Sequence, residues 1–424
     1  MEDMESGKYT ALFKPLVHTG RGFYPVAVIL VLIIAWGVEA YARQLTHGLG
    51  VTGLNEPVFW GMYISNTVFF IAISYGGTLT SAILRILNAE WRKPITRAAE
   101  TITVCALIVG SLNIIIDMGR PDRIPLLLMR GRLQSPILWD FYAISLYLLC
   151  SVIYLYLPLI PDLAILRDKY PSRRRLYSFL TLGWTGSEKQ KRRLDTAIGV
   201  MALLMIPIAI SVHTVLAWLF SMTIQPMWHS TLFGPYFVMG AVYSGIATLI
   251  IALAILRRAL RLEKYLKPVH FNNLGLLLLV LTFVWFYFTA AEYLTTYYGN
   301  EPAHMAVFNA KFSGEFAPLF WLQVLLCLVV PVGILVPRRT RTIAGTVIAG
   351  VAVNIGMWLE RVLIVVPTLT HPRTPYGWEI LYRPSVVEWA IMAASAAAIV
   401  LMFMFFTKLF PIVSIWEMEE EAEK

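Results

Sequence analysis

Ten long apolar stretches divide this chain, and each is close to or longer than the roughly 20 residues that a helix needs to cross a bilayer. Only 14% of the 424 residues are charged, whereas a soluble domain carries about 25%. Because lipid cannot satisfy backbone hydrogen bonds, such segments must form helices. The sequence therefore predicts an all-α polytopic transmembrane helix bundle. The expected spans, one to ten, are residues 23–43, 57–87, 95–117, 136–160, 195–223, 229–260, 269–296, 316–336, 342–368 and 385–410.

The whole chain, residues 1–424, is expected to be a single integral membrane domain. Residues 57–223 and 229–368 are predicted to form two four-helix units of the same orientation, because spans two and six begin with similar runs. Spans one and ten would then be peripheral. Residues 1–22 form a leader without a cleavable signal pattern, and residues 411–424 form an acidic tail that we expect to be solvated.

Basic residues concentrate in the connections after spans two, four, six and eight. This pattern predicts a multi-pass protein of the plasma membrane with both termini in the cytoplasm. It also accounts for the net charge of +9 without nucleic acid as a partner. The exception is the outer connection between spans three and four, with Arg120, Arg123, Arg130 and Arg132. Either the bias elsewhere tolerates them, or they bind an anionic ligand or a partner subunit.

The sequence offers few ligands for a redox cofactor. A haem held by two histidines needs two of them inside the membrane, and of seven histidines only His213 is well inside a span. Cys105, Cys150 and Cys327 are isolated, whereas an iron–sulfur cluster needs about four thiolates. Metal-ligand spacing is absent as well. We expect no haem, iron–sulfur cluster or metal site in this chain.

Ionisable residues inside spans are the main functional signal, because each costs about 2.5–3.5 kcal/mol at a helix centre. Asp117 ends span three and Asp140 opens span four, both toward the outer face. One interpretation is an interfacial salt bridge or helix cap. The other is a site where a carboxylate exchanges protons with a quinone, near Arg120 and Arg123.

Other residues could extend this site. His213 is either a hydrogen-bonded core residue or a group that titrates near neutral pH. Glu39 in span one and Glu292 in span seven lie toward the outer face, where they would join the site or reach water. Trp139 and Tyr142 would either stack on a quinone ring or serve packing.

Glu360 and Arg361 are neighbours in span nine. Consecutive side chains on a helix point about 100° apart, so we expect each to find a partner on another span. The pair is either a structural ion pair between helices or one link of a proton path.

Several motifs resemble the NrfD/PsrC family of quinone-interacting membrane subunits. They are, in order, GVTGLNEPVFWG, ITRAAETITVCALIVG, IIDMGRPDR, SPILWDFYAIS and NIGMWLERVLIVV. The ten spans resemble the DsrP/HmeB, HmcC and ActC types within it. Asp117 and Leu219 depart from the ActC type, which carries His and an acid at these positions.

The resemblance implies binding of menaquinone or another quinone on the outer side, with Asp117, Asp140, Arg120 and Arg123 as catalytic residues. Asp140 would also bind the quinone, with His213, Glu39, Glu292, Trp139 and Tyr142. It further implies a ferredoxin-like iron–sulfur subunit on the outer side, further redox subunits such as a cytochrome c, and anaerobic respiration of the sulfur or sulfite type. Membrane lipid surrounds the chain.

Three other functions stay open, two from the residues and one from the resemblance. Buried acids and a possible duplication also suit a proton-coupled secondary transporter, although the helix break expected at Pro207 has no matched partner. The chain could instead be a passive anchor that binds quinone only structurally. An ActC-like resemblance adds a proton-translocating subunit of the alternative-complex-III type.

Overall fold

The structure is a computed structural model that describes residues 10–17, 19–373 and 382–418. Within these ranges no strand occurs, and ten helices are long and apolar enough to cross a membrane. The prediction of an all-α ten-span bundle is therefore confirmed. Spans one to ten are Phe23–His47, Met62–Ile86, Thr96–Asp117, Pro136–Tyr156, Glu188–Ser221, Phe233–Ala259, Pro268–Gly299, Ala317–Leu335, Ile343–Thr370 and Val386–Leu409. Residues 1–9 and 18 of the expected leader and residues 419–424 of the acidic tail lie outside the described residues.

Shorter helices occupy several connections. They are Thr10–Val17, Ile124–Arg130, Leu159–Lys169, Arg174–Leu180 and Pro302–Phe312. Span five begins at Glu188 instead of residue 195, because the Ser187 hydroxyl accepts the backbone N–H of Gln190 at 3.4 Å and caps the helix there.

Span eight contains a π-helical segment, Leu325–Val329. Pro331 lacks a backbone N–H, so the carbonyl of Cys327 loses its regular helical donor. The hydroxyl of Tyr243 on span six donates to this carbonyl at 2.7 Å instead. A side chain of the neighbouring helix thus satisfies the carbonyl group that the π-helical segment leaves without a backbone donor.

Spans two to five pack as one ring of four helices, and spans six to nine pack as a second ring. Span two packs on spans three and five, which both contact span four; span six packs on spans seven and nine, which both contact span eight. The rings meet where spans two and six cross at Gly76 and Gly245, since a Cβ on either glycine would collide with the backbone of the other. Span ten packs on spans one and three. We propose that these rings are the two four-helix units; their origin by duplication stays a prediction.

The two ends of the bundle differ in charge. We call the end with the connections after spans two, four, six and eight the basic face, and the other end the opposite face. At the basic face, buried Arg97 pairs with buried Asp162. Glu417 accepts from Arg85 at 3.1 Å and from Arg92 at 3.3 Å and is only 4% exposed. The expectation of a solvated tail is therefore wrong for Glu417, because these arginines neutralise it.

Candidate functional site

Two carboxyl groups lie at the opposite face of the first unit. Asp117 is the last residue of span three and Asp140 is the fifth residue of span four. Asp140 is only 6% exposed, and in each carboxyl group the Oδ1 atom is buried without a hydrogen-bond partner. Buried polar atoms are normally paired, so these oxygens have unused capacity to bind a proton or a ligand.

Span four directs Asp140 inward through its helical spacing. The buried residues of this span recur three or four positions apart, which places them on one face. This face contains Asp140, Ile144, Tyr147, Ser151 and Tyr154, and Leu138 and Leu155 are buried beside it. Residues between them, such as Leu146 and Leu149, are exposed toward lipid. Asp140 therefore belongs to the interior of the first unit.

The arginines of the connection between spans three and four do not reach into this interior. Gly119, at φ +63°, turns the chain away from the end of span three. Arg120 and Arg123 are exposed, and Arg120 pairs with Asp122 at 2.9 Å, which lowers the pKa of that carboxyl. Both arginines thus line the rim of the bundle, and neither forms an ion pair with half-buried Asp117 or buried Asp140.

Three other candidate residues lie on the outside of the bundle. Glu39 is exposed and pairs with Arg43 one turn later on the same helix, at 2.5 Å. Tyr142 is 51% exposed, while Trp139 is half-buried and its indole N–H donates to the carbonyl of Leu133. The structure does not bring these side chains into the interior with Asp140.

His213 lies fully buried inside the first unit. It is eight residues from the end of span five at Ser221, which places it about 12 Å from that end at 1.5 Å per residue. Its ring packs on Tyr75 with centroids 4.0 Å apart, and its backbone N–H donates to the Tyr75 hydroxyl at 2.9 Å. Neither ring nitrogen has a hydrogen-bond partner, so both Nδ1 and Nε2 are free to form a hydrogen bond with a ligand.

A row of buried polar side chains continues from His213 toward the basic face. We call it the polar file; its members are Tyr75, Tyr147, Thr78, Thr103, Ser81, Glu100 and Tyr154. Tyr147 donates to the Thr78 hydroxyl at 3.1 Å, and Thr78 donates to the Thr103 hydroxyl at 3.2 Å. These bonds tie spans two, three and four together.

The polar file ends at a buried acid near the basic face. Ser81 donates to Glu100 at 2.5 Å and lies 3.1 Å from the Tyr154 hydroxyl. Arg85, one turn beyond Ser81, connects this end to Glu417. Sequence analysis did not single out Glu100 or the tyrosines. The available signal was the spacing of polar residues at 74, 78, 81 and 85 in span two, which marks one helical face.

Glu360 and Arg361 pair with each other at 3.4 Å and are 2% and 1% exposed. Glu360 also accepts from the hydroxyl of Tyr236 and from the indole N–H of Trp285, the latter at 2.6 Å. The guanidinium of Arg361 stacks on Phe237 at 5.0 Å. The expected partners on other spans are present, and the two neighbours contact each other as well.

Glu292 lies in the second unit beside a buried lysine. Glu292 and Lys311 line a small cavity of about 30 Å³ with Tyr236 and Glu360, which is enough space for a water molecule. Burial lowers the pKa of Lys311 to about 8, although Glu292 and Glu360 favour its charged form. Sequence analysis missed Lys311, because it belongs to a connection that folds inward as the helix Pro302–Phe312.

Metal ligands do not cluster in the described ranges: no group of three or more His, Cys, Asp or Glu side chains there could hold a metal ion. Cys105 and Cys327 are buried free thiols, and Cys150 is a half-buried one.

Known proteins resemble this chain over most of its length. Residues 50–373 match the family described as "Polysulphide reductase, NrfD". A putative membrane subunit of a dimethyl sulfoxide reductase from Halobacterium salinarum is 29% identical over 82% of this chain and 77% of its own length. An Hdr-like menaquinol oxidoreductase integral membrane subunit from Archaeoglobus fulgidus is 25% identical, over 97% of this chain and 99% of its own length. A menaquinone reductase integral membrane subunit from Nitratidesulfovibrio vulgaris is 24% identical, over 87% of each chain.

Proposed function

We propose a function from the premise that this chain belongs to the polysulphide reductase, NrfD, family. It acts as the integral membrane subunit of a quinone-linked oxidoreductase complex, in which electrons pass between a quinone and a partner subunit. The similarity to a menaquinol oxidoreductase subunit and to a menaquinone reductase subunit supports menaquinone as the quinone. We extend the proposal to anaerobic respiration of the sulfur type.

The quinone site lies at the opposite face, with Asp117 and Asp140 as its proton-exchanging groups. The observation that carries this assignment is that each of these two carboxyl groups has a buried Oδ1 atom without a hydrogen-bond partner. Oxidation of a quinol releases two protons with its two electrons, and the reverse reaction consumes them. A carboxylate held near the quinone can accept or return such a proton, while the electrons pass to a partner.

His213 would hold the quinone head group together with Asp140. Both belong to the interior of the first unit, and both ring nitrogens of His213 are without partners. Trp139 and Tyr142 would flank a quinone that arrives from the bilayer, because they lie on the lipid side of the same helix as Asp140. Glu39 and Glu292 stay secondary candidates, since each already pairs or interacts with a nearby cation.

We propose that the opposite face is the outer face and that both termini are cytoplasmic, following the basic connections. A ferredoxin-like iron–sulfur subunit would dock there, and further redox subunits, such as a cytochrome c, would follow it. Arg120 and Arg123 support this docking because they are exposed at the rim. Replacing Arg123 with Glu should then weaken retention of the partner during purification.

The catalytic assignment is tested with Asp140→Asn in the assembled complex. This change keeps the size of the side chain and removes the carboxylate that takes up a proton. Asp122→Asn is the matched control, because Asp122 is exposed in the adjoining connection. Loss of quinol turnover in the first variant alone, with all subunits retained, supports the proposal. Equal turnover in both variants would refute the role of Asp140.

Proton conduction is a second candidate function, supported by the polar file. Its hydroxyl and carboxyl groups run from His213 to Glu100, and Arg85 connects that end to Glu417. Tyr147→Phe removes one hydroxyl of the file, while Tyr287→Phe, in span seven, removes an exposed hydroxyl outside it. If the file conducts, only Tyr147→Phe lowers the number of protons moved per electron in liposomes. An unchanged ratio would exclude this function.

A further inference from the structure

A groove of about 770 Å³ opens between spans six and nine at the basic face. Its apolar walls are formed by Ile251, Ala254, Ile255, Ile343, Ala344 and Val347. Arg257, Arg258 and Glu263 lie at its mouth. The volume falls in the range of roughly 300–1,000 Å³ that is typical of ligand pockets. No part of the quinone site or of the polar file contributes to it.

The groove exists because two helices touch at one level and then separate. A Cβ on Gly350 of span nine would lie 3.0 Å from the carbonyl oxygen of Ala247 and 3.6 Å from Ile251. The helices are therefore in close contact at Gly350. Between that level and the basic face, side chains of both helices line the open groove. Ile255 remains 61% exposed in the resulting space.

The mouth of the groove is strongly basic. The connections on its two sides, residues 256–267 and 336–344, contain eight basic residues and one acidic residue. They are Arg257, Arg258, Arg261, Lys264, Lys267, Arg338, Arg339 and Arg341, with Glu263 as the acid. Arg257 donates through Nε to the carbonyl of Leu266 at 2.9 Å. Among the residues that the structure describes, Arg258 makes no hydrogen bond or ion pair and is exposed.

We propose that this groove binds one anionic phospholipid, with an acyl chain along the apolar walls and the phosphate at Arg258 and Arg257. Basic pockets between transmembrane helices on the cytoplasmic side suit anionic head groups. From Ile251 to Arg258 the groove runs about 10 Å along span six. This length fits one leaflet of a hydrocarbon core about 30 Å thick. It is too short for a partner helix that crosses the bilayer.

The test uses the purified full chain in its complex, stripped of lipid and then titrated with lipids of identical acyl chains. Native mass spectrometry and the thermal unfolding midpoint report binding. Phosphatidylglycerol should form a one-to-one adduct and raise the midpoint, whereas phosphatidylcholine should bind more weakly. Inorganic phosphate alone should have no effect, because it lacks the acyl chain that fills the groove.

Two variants separate the parts of the proposed site. Arg258→Gln should weaken phosphatidylglycerol binding about fivefold, the ratio expected for about one basic contact to an anionic lipid. Arg175→Gln, an exposed arginine of the same face outside the groove, should not. Ala344→Phe should block the acyl chain and weaken both lipids, and it keeps the test decisive if Arg258→Gln does not assemble. Equal binding of phosphatidylglycerol by all three variants would overturn the proposal. A crosslinker placed at Ile255 should capture lipid, and capture of a protein there would also overturn the proposal.

Discussion

The buried pair of Glu360 and Arg361 provides the sharpest prediction about stability. Glu360→Gln keeps the shape of the side chain and an oxygen that can accept from Trp285, but it removes the negative charge. Arg361 is 1% exposed, and three of its nitrogens have no hydrogen-bond partner. The negative charge of Glu360 therefore compensates the positive charge of Arg361. Removing one partner of a buried ion pair costs about 3–5 kcal/mol, because the other charge is left unpaired in a medium of low dielectric constant.

Equilibrium unfolding in mixed micelles measures this cost. We expect Glu360→Gln to lower the free energy of unfolding by about 3–5 kcal/mol, and the double variant with Arg361→Met to recover most of that loss. The double-mutant cycle isolates the coupling between the two charges. Asp122→Asn, which breaks an exposed pair, is the control and should change little. An unchanged stability for Glu360→Gln, or a double variant as unstable as the sum of the single ones, would refute the reasoning.

Three further predictions concern Lys311, the close contact between Gly76 and Gly245, and the buried ion pair at the basic face. Burial lowers the pKa of Lys311 to about 8 in the folded chain, whereas its ordinary value is 10.5. Between about pH 8 and pH 10.5 the unfolded chain therefore binds more protons than the folded chain does. The free energy of unfolding should rise with pH in that window, and Lys311→Met should remove the rise in pH-dependent unfolding curves. Gly76→Ala forces a Cβ against Gly245 and should cost more than the roughly 1–3 kcal/mol typical of overpacking, whereas Gly333→Ala, which meets open space, should leave the melting midpoint unchanged. Asp162→Asn leaves a buried arginine without its counter-charge and should speed limited proteolysis of residues 410–418.

The spans could be predicted from sequence because their signal is local. A run of about 20 apolar residues has few alternatives to a membrane helix, and the expected and observed bounds of span nine, 342–368 and Ile343–Thr370, differ by only one or two residues. Larger errors arose where a cap decides the boundary. Span five starts seven residues earlier than expected because Ser187 caps its first turn, a contact that hydropathy does not report.

The direction of each ionisable side chain could not be predicted in the same way. Glu39 and Asp140 both stand in apolar helices, yet one faces outward beside Arg43 and the other is buried. A helix that is apolar all round has no polar face to orient it, so only the packing of its neighbours decides. Lys311 shows the same limit: it falls between two predicted spans, yet its connection forms an inward-folded helix that buries the charge.

The central claim is that this chain carries quinone chemistry for a partner that holds the redox centres. The most direct measurement is on the complex extracted gently from native membranes through a tag on this chain. Its subunits, bound quinone and iron–sulfur signal would be recorded before and after addition of a quinol analogue. The account predicts that cluster-bearing subunits co-purify and that the quinol reduces their clusters. A lone chain with neither quinone nor redox subunits would contradict it and would favour a proton-coupled transporter.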